Sequence, residues 1–408
     1  MQKLSRLFVA AIVVLAACSD NAVAPSSSVP QLSFNKVKKD GADLSNYVAL
    51  GTSVSMGWFN DGVFYGSQDQ SWVKQLATEA GVSFTSPSID APGCQPPLAS
   101  PLIAFSRVDA SSAFVDNTTC SPLRAGVTPG QNNLSVEHAT AVEALNATPA
   151  TATAGRGPIT SRVLPAGMTQ VTEMQAKNPT FVSVEFGGNE ILPAQVGVIA
   201  PGVTVVPFAQ FQAAYAQIVD AVVTTGAQAL LVTLPKDMRK FPTIRTSLEI
   251  ASQRAAFVNF NVTVNADCDT SPNFVFVRGK VLTAVATGAF YAANGYGPYD
   301  LSCSDIPWTP DYILTPADIS TLNGMTEQFS DEIERQAKAH GYATVSLGEV
   351  YDKSKNGVPF DLISFMTSGQ PYGPTISLDG VHPTAAGHAS LASAAFKAIQ
   401  KTYGKTKP

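Results

Sequence analysis

The sequence predicts an α/β domain built on a parallel sheet, and three observations carry that reading. Short apolar runs of strand length alternate along the chain with helical periods, the order that produces parallel strands joined by crossover helices. The clearest helical period, Phe211, Tyr215, Ile218 and Val222, steps by 4, 3 and 4 and is closed by Gly226. The composition is 45% hydrophobic and 14% charged with 30 Gly and 28 Pro, which suits a globular, turn-rich chain and excludes a disordered one.

The elements follow in order. Residues 47–50 read as a first strand stopped by Gly51. Residues 71–80 read as a helix with Trp72, Val73, Leu76 and Ala80 on one face and Gly81 as its stop. Residues 180–186 form a buried strand ending at Gly187-Gly188, and 229–234 form the next strand after Gly226. Thr315-Pro316-Ala317-Asp318 is a capped helix start, with Pro in the first turn and an acid at the third position. That helix runs to about His340 before Gly341. Residues 343–347 follow as a strand, and a last helix runs from after Pro383 to about Tyr403.

No internal repeat is visible, so one domain over 46–408 accounts for the pattern. Two stretches exceed a minimal core, one near 89–165 and one near 236–310. Structureless loops of that length are unusual, so both are expected to be insertions covering the C-terminal edge of the sheet, where open α/β folds bind ligands.

The N-terminus carries a processing signal. Residues 1–6 hold two cations, and residues 7–17 are apolar but too few to span a bilayer. This predicts a signal peptide over 1–17. Leu15-Ala16-Ala17-Cys18 resembles the lipobox of bacterial lipoproteins, which implies cleavage before Cys18 and a lipid carried by Cys18. The Ser-, Pro- and Ala-rich stretch that follows reads as a flexible tether to about residue 45. The expected location is therefore the bacterial cell envelope, with the membrane as a partner through the lipid.

Four cysteines remain: Cys94, Cys120, Cys268 and Cys303. An even number in an exported chain suggests two disulfides. Of the possible pairings, Cys94–Cys120 and Cys268–Cys303 are favoured, because each closes a loop between predicted core elements. No CxxC or HxxxH spacing supports zinc, and Asp267 and Asp269 beside Cys268 give only a slight hint of a cation site. A net charge of −5 without basic runs leaves no footprint for nucleic acid.

Three short segments can carry chemistry. Gly51-Thr52-Ser53-Val54-Ser55 puts a hydroxyl on the turn after the first strand. Gly187-Gly188-Asn189-Glu190 puts an amide donor after a later strand. Asp379-Gly380-Val381-His382-Pro383 puts an acid three residues before a histidine, so that one ring nitrogen can be held while the other faces a nucleophile.

Together these segments resemble the SGNH/GDSL hydrolases, and the resemblance covers the chain from about Tyr47 to Tyr403. It implies a three-layer α/β/α, flavodoxin-like domain that hydrolyses carboxylic esters with no metal or cofactor. Ser53 falls on the nucleophile, Asp379 and His382 on the acid and base, and Asn189 on an oxyanion donor. The match for the family's second block is 133–140, which places His138 where a glycine is usual, so the resemblance implies an oxyanion hole of the Ser53 N–H, the His138 N–H and the Asn189 side chain. Thr52 stands where the family has Asp, and Glu190 keeps the carboxylate of its own block.

The substrate this implies is an ester, whether of a lipid, a glycan or a small alcohol. Two other classes stay open on the residues alone. An α/β-hydrolase esterase has the same Ser, Asp, His order, but needs Gly two residues after the serine, where this chain has Ser55. A non-catalytic envelope lipoprotein binding glycan or lipid on the same fold would tolerate Thr52 and His138. His340 is expected to serve the dipole at a helix end, and His388 to be structural.

Overall fold

The computed structural model describes residues 41–406 apart from 116–118, 154 and 355–357. The expected signal peptide, Cys18 and nearly all of the tether lie outside the described residues. In chain order the strands are β1 (Tyr47–Leu50), β2 (Phe181–Val184), β3 (Gln228–Thr233), β4 (Ile244–Thr246), β5 (Val262–Val264), β6 (Phe274–Phe276), β7 (Tyr299–Leu301), β8 (Ile313–Leu314) and β9 (Ala343–Ser346).

The main sheet has the order β1-β2-β3-β9, and every pairing is parallel, with Tyr47 opposite Phe181, Phe181 opposite Gln228 and Leu230 opposite Ala343. β1 and β2 are buried at every position, as strands covered on both faces must be. Beyond β1 the chain adds one more edge segment. The Ala49 N–H donates to the Asn132 carbonyl at 2.9 Å, the Leu134 N–H to Ala49 at 2.9 Å, and the Val136 N–H to Gly51 at 3.1 Å. Counting this parallel segment, the order matches the flavodoxin-like 2-1-3-4-5 arrangement, whose strand order reverses beside β1.

That edge segment lies inside 89–165, which the sequence assigns to an insertion. It escapes notice because it begins with two asparagines. Asn133 is nevertheless 1% exposed, since its side-chain amide donates to the Ser55 carbonyl at 2.9 Å. The buried polar residue is satisfied by a partner 78 positions away.

Two groups of helices sandwich the sheet. One holds Trp72–Ala80 and Ala385–Tyr403, and the other holds Ala141–Asn146, Gln170–Ala176, Phe208–Thr225 and Pro316–His340. The expected cap forms at Thr315, whose hydroxyl accepts the Asp318 N–H at 3.2 Å while the Asp318 carboxylate accepts the Thr315 N–H at 2.8 Å. Within the second group the rings of Phe211 and Phe329 stack with centroids 4.3 Å apart. Each is fully buried, worth about 1.5–3 kcal/mol of transfer free energy.

The stretch near 236–310 forms the parallel pair β5-β7 and, with β8 just beyond it, an antiparallel sheet of order β4-β6-β8. Disulfides join Cys94 to Cys120 and Cys268 to Cys303. The hint of a cation at Asp267 and Asp269 gives way to protein contacts. Asp267 accepts hydroxyl hydrogen bonds from Ser302 and Ser304 at 2.5 and 2.8 Å, and Asp269 pairs with Arg254 at 3.0 Å. The two acids hold the loop around the second disulfide.

Candidate active site

β1 delivers Ser53 to the sheet edge. The strand ends at Leu50, Gly51 turns the chain, and Ser53 is the first residue of a single helical turn, Ser53–Met56. Gly51 has no room for a side chain, because a Cβ there would sit 2.8 Å from Ser55 Oγ and 3.0 Å from Glu185 Oε2. Close packing, and not a special φ, demands the glycine.

Glu185, one residue past β2, organises this turn. Its carboxylate accepts the Thr52 N–H at 3.1 Å, the Ser55 N–H at 3.2 Å, and the hydroxyls of Thr52 and Ser55 at 2.9 Å each. Burial pushes its pKa above the ordinary carboxylate value, and the bonds from Thr52 and Ser55 counter this in part. Thr52 therefore has a physical reason. With a buried carboxylate already at 185, an aspartate at 52 would set two acids side by side, whereas threonine supplies a donor. Sequence reasoning missed Glu185; the available signal was a lone acid inside the apolar run 181–186.

The loop 376–383 delivers the other two predicted residues. It is closed by the Ser377 N–H to the His382 carbonyl at 2.8 Å and the Gly380 N–H to Ser377 at 3.0 Å. His382 Nε2 lies 2.9 Å from Ser53 Oγ, and His382 Nδ1 lies 3.1 Å from Asp379 Oδ2. Ser53, His382 and Asp379 are 5%, 8% and 7% exposed, so the chain of contacts is screened from solvent.

Asp379 also accepts the backbone N–H groups of Val381 and His382 at 2.8 Å each, the Ser377 hydroxyl at 2.9 Å and the Asp61 N–H at 2.7 Å. Burial alone would raise its pKa. The charge of His382 and the hydrogen bonds from His382 and Val381 outweigh burial and hold the acid well below the ordinary carboxylate range. Asp61 is itself clamped from the segment closed by the first disulfide. Arg107, 1% exposed in its side chain, meets the Asp61 carboxylate at 2.7 Å and its carbonyl at 2.9 Å. Asp61 and Arg107 are supporting residues that no local motif announces.

Of the three expected oxyanion donors, Ser53 and Asn189 line one hollow, and the Asn189 amide reaches the residue that follows His138. Asn189 is 9% exposed, and its amide donates to the Ala139 carbonyl at 3.0 Å, which leaves its second N–H uncommitted. His138 occupies the left-handed region, with φ 56, the conformation that a glycine at this place would favour. Among the described residues neither the Ser53 N–H nor the His138 N–H has a protein acceptor. Glu190 ties these loops together, accepting the Ala141 N–H at 2.7 Å and the Gly187 N–H at 2.9 Å. Burial pushes its pKa up to about 7 against those two bonds.

The other histidines stand apart. His340 ends the helix Pro316–His340 and is exposed. His388 is 2% exposed and accepts the Trp72 N–H on Nδ1 at 3.3 Å.

Two hollows meet at His382. One is an apolar cavity that includes Ser53 and Asn189 and runs between Leu234, Met238, Phe241 and Leu322. The other is a cleft of mixed character that sets Asp61, Arg107 and Arg278 beside Trp58, Phe114 and Phe276, and does not include Ser53. The stretch near 236–310 supplies Met238 and Phe241 to the first and Arg278 to the second.

No protein-family model and no curated protein matches the chain. Solved structures similar in fold include TesA, at 12% identity and a TM-score of 0.34 over 87% of this chain and 98% of that one. A mutant of Axe2, an acetyl-xylooligosaccharide esterase from Geobacillus Stearmophilus, is 10% identical with a TM-score of 0.38, covering 88% and 95% of the two chains. An extracellular lipase from Streptomyces rimosus is 14% identical with a TM-score of 0.35, covering 89% and 100%. At these identities and scores the likeness carries no residue role or substrate to this chain.

Proposed function

We propose that this chain is a serine hydrolase of the SGNH/GDSL type that cleaves carboxylic esters through an acyl-enzyme. The observation that carries the reading is the unbroken contact line from Ser53 Oγ to His382 Nε2 at 2.9 Å and from His382 Nδ1 to Asp379 at 3.1 Å, beside uncommitted donors at Ser53, His138 and Asn189. A capping serine or a surface histidine needs no such line.

In this reading His382 takes the Ser53 proton as the hydroxyl oxygen attacks the ester carbonyl. Asp379 keeps the ring oriented and stabilises the imidazolium. The carbonyl oxygen, now negative, is met by the N–H groups of Ser53 and His138 and by the Asn189 amide, each donor being worth about 3 kcal/mol of barrier. His382 then protonates the leaving alcohol. Water attacks the acyl-enzyme with His382 again as base, releasing the acid and restoring Ser53. The apolar cavity that holds Ser53 and Asn189 receives the acyl part.

The test is labelling of the purified protein with a fluorophosphonate, together with turnover of p-nitrophenyl esters of increasing chain length. Wild type should label on Ser53 and turn over, and Ser53→Ala should do neither. Turnover like that of wild type in Ser53→Ala would end the serine mechanism. The proposal extends to an exported, envelope-anchored enzyme with lipid on Cys18, and mass spectrometry of the mature N-terminus tests that part separately.

A further inference from the structure

The two hollows differ in chemistry in a way that assigns the two halves of an ester, given the serine mechanism on which this inference rests. His382 must protonate the leaving oxygen, so the alcohol departs across the imidazole, away from the cavity that holds Ser53 and Asn189. The second cleft adjoins the imidazole from a side that Ser53 and Asn189 do not line. It includes His382 and Asp379 but not Ser53.

The cleft contains one cation, Arg278, that forms no ion pair among the described residues, although the Asp61 carboxylate acts on it at longer range. Arg278 is the second residue of the helix Val277–Ala293, and its neighbour Gly279 packs under the Tyr312 ring so closely that a Cβ would lie 2.2 Å from it. Arg278 makes one long hydrogen bond, Nη2 to the Ala113 carbonyl at 3.4 Å, and its buried Nε has no partner. Among the described residues no carboxylate lies within ion-pair distance of it. The two acids of the cleft are already engaged, Asp61 by Arg107 at 2.7 Å and Asp379 by His382 at 3.1 Å. A guanidinium in a concave, half-buried place, with an orphaned Nε and only a more distant carboxylate that is already paired with Arg107, has donors to offer a ligand anion.

We propose that Arg278 is a specificity residue that binds an anionic group carried on the leaving alcohol, so that the preferred substrates are esters of an apolar acid with a negatively charged alcohol. Arg278 touches the departing half and takes no part in proton transfer.

Two esters with one acyl chain test this: 4-sulfonatophenyl octanoate, which is anionic, and 4-(methylsulfonyl)phenyl octanoate, which is neutral and has the better leaving group, a difference that cancels when the ratio is compared between variants. The readout is the ratio of kcat/KM for the anionic ester to that for the neutral one. In Arg278→Gln this ratio should fall about ten- to hundredfold, the worth of one charge-assisted hydrogen bond, with the loss mainly in KM. Arg278→Lys should keep part of the ratio, since it keeps the charge. In wild type the ratio should fall as salt is raised, which supports the proposal even if a variant fails to fold. An unchanged ratio in Arg278→Gln, or a wild-type ratio insensitive to salt, overturns it. Failure of the serine mechanism itself would show differently, as turnover of both esters by Ser53→Ala.

Discussion

Removing the carboxylate at 185 should damage the enzyme without touching the triad. Glu185 is 2% exposed and receives two backbone N–H groups and two hydroxyls from the turn that holds Ser53. In Glu185→Ala the hydroxyls can rotate, and Ser55 Oγ still accepts the Trp72 indole N–H at 3.0 Å. The N–H groups of Thr52 and Ser55 cannot turn away, and each stranded donor costs about 1–3 kcal/mol. Part of that is recovered because a carboxylate no longer has to be buried, so a net loss of about 3 kcal/mol is expected. Glu185→Gln should cost about 1 kcal/mol, since its amide oxygen can take the place of Oε2 and still accept both N–H groups. Urea unfolding followed by tryptophan fluorescence measures both. Turnover of a p-nitrophenyl ester should drop in the same order, because Ser53 sits between the two residues that Glu185 anchors. If Glu185→Ala unfolds within about 0.5 kcal/mol of wild type and keeps its kcat, the turn is held by something else and the argument from Thr52 falls with it.

Three more outcomes are expected. Asn189→Ala should lower kcat by about 10²–10³ with little change in KM, because its free N–H meets charge present only in the transition state; steady-state kinetics showing a silent variant would remove it from the oxyanion hole. His382→Ala should cost nearly as much as Ser53→Ala, and adding Asp379→Asn to it should cost little more, since the two share one proton-transfer task; additive losses in a double-mutant cycle would contradict the arrangement. His388 gives a stability prediction. Burial, and then the His382 charge, push its pKa down to about 3, whereas the unfolded chain binds a proton near the ordinary value of about 6.5. Stability from this group is therefore complete above about pH 6.5 and is lost as pH falls toward 3, by up to about 4–5 kcal/mol. His388→Gln keeps an acceptor for the Trp72 N–H but cannot titrate, so its unfolding free energy should fall less steeply over that window; identical slopes would show that His388 is not the group responsible.

The sequence alone determined the local conformations. Continuous apolar runs marked the main strands, because strands buried on both faces have no polar side to show. Gly81, Gly226 and Gly341 marked helix ends, and each adopts the left-handed conformation that glycine takes there without penalty. Ser53, Asn189, Asp379 and His382 were legible because each lies in a short motif at a strand end or turn. What tertiary structure decided were the long-range pairings. The Asp61 N–H meets Asp379 across 318 positions, and Asn133 meets Ser55 across 78. The edge strand at 132–136, the anchor at Glu185, the Arg107 clamp and the unpaired Arg278 belong to this second kind. A periodic pattern encodes what a segment does with its own backbone. Which buried donor finds which acceptor is settled only when packing excludes water and fixes the partners within reach.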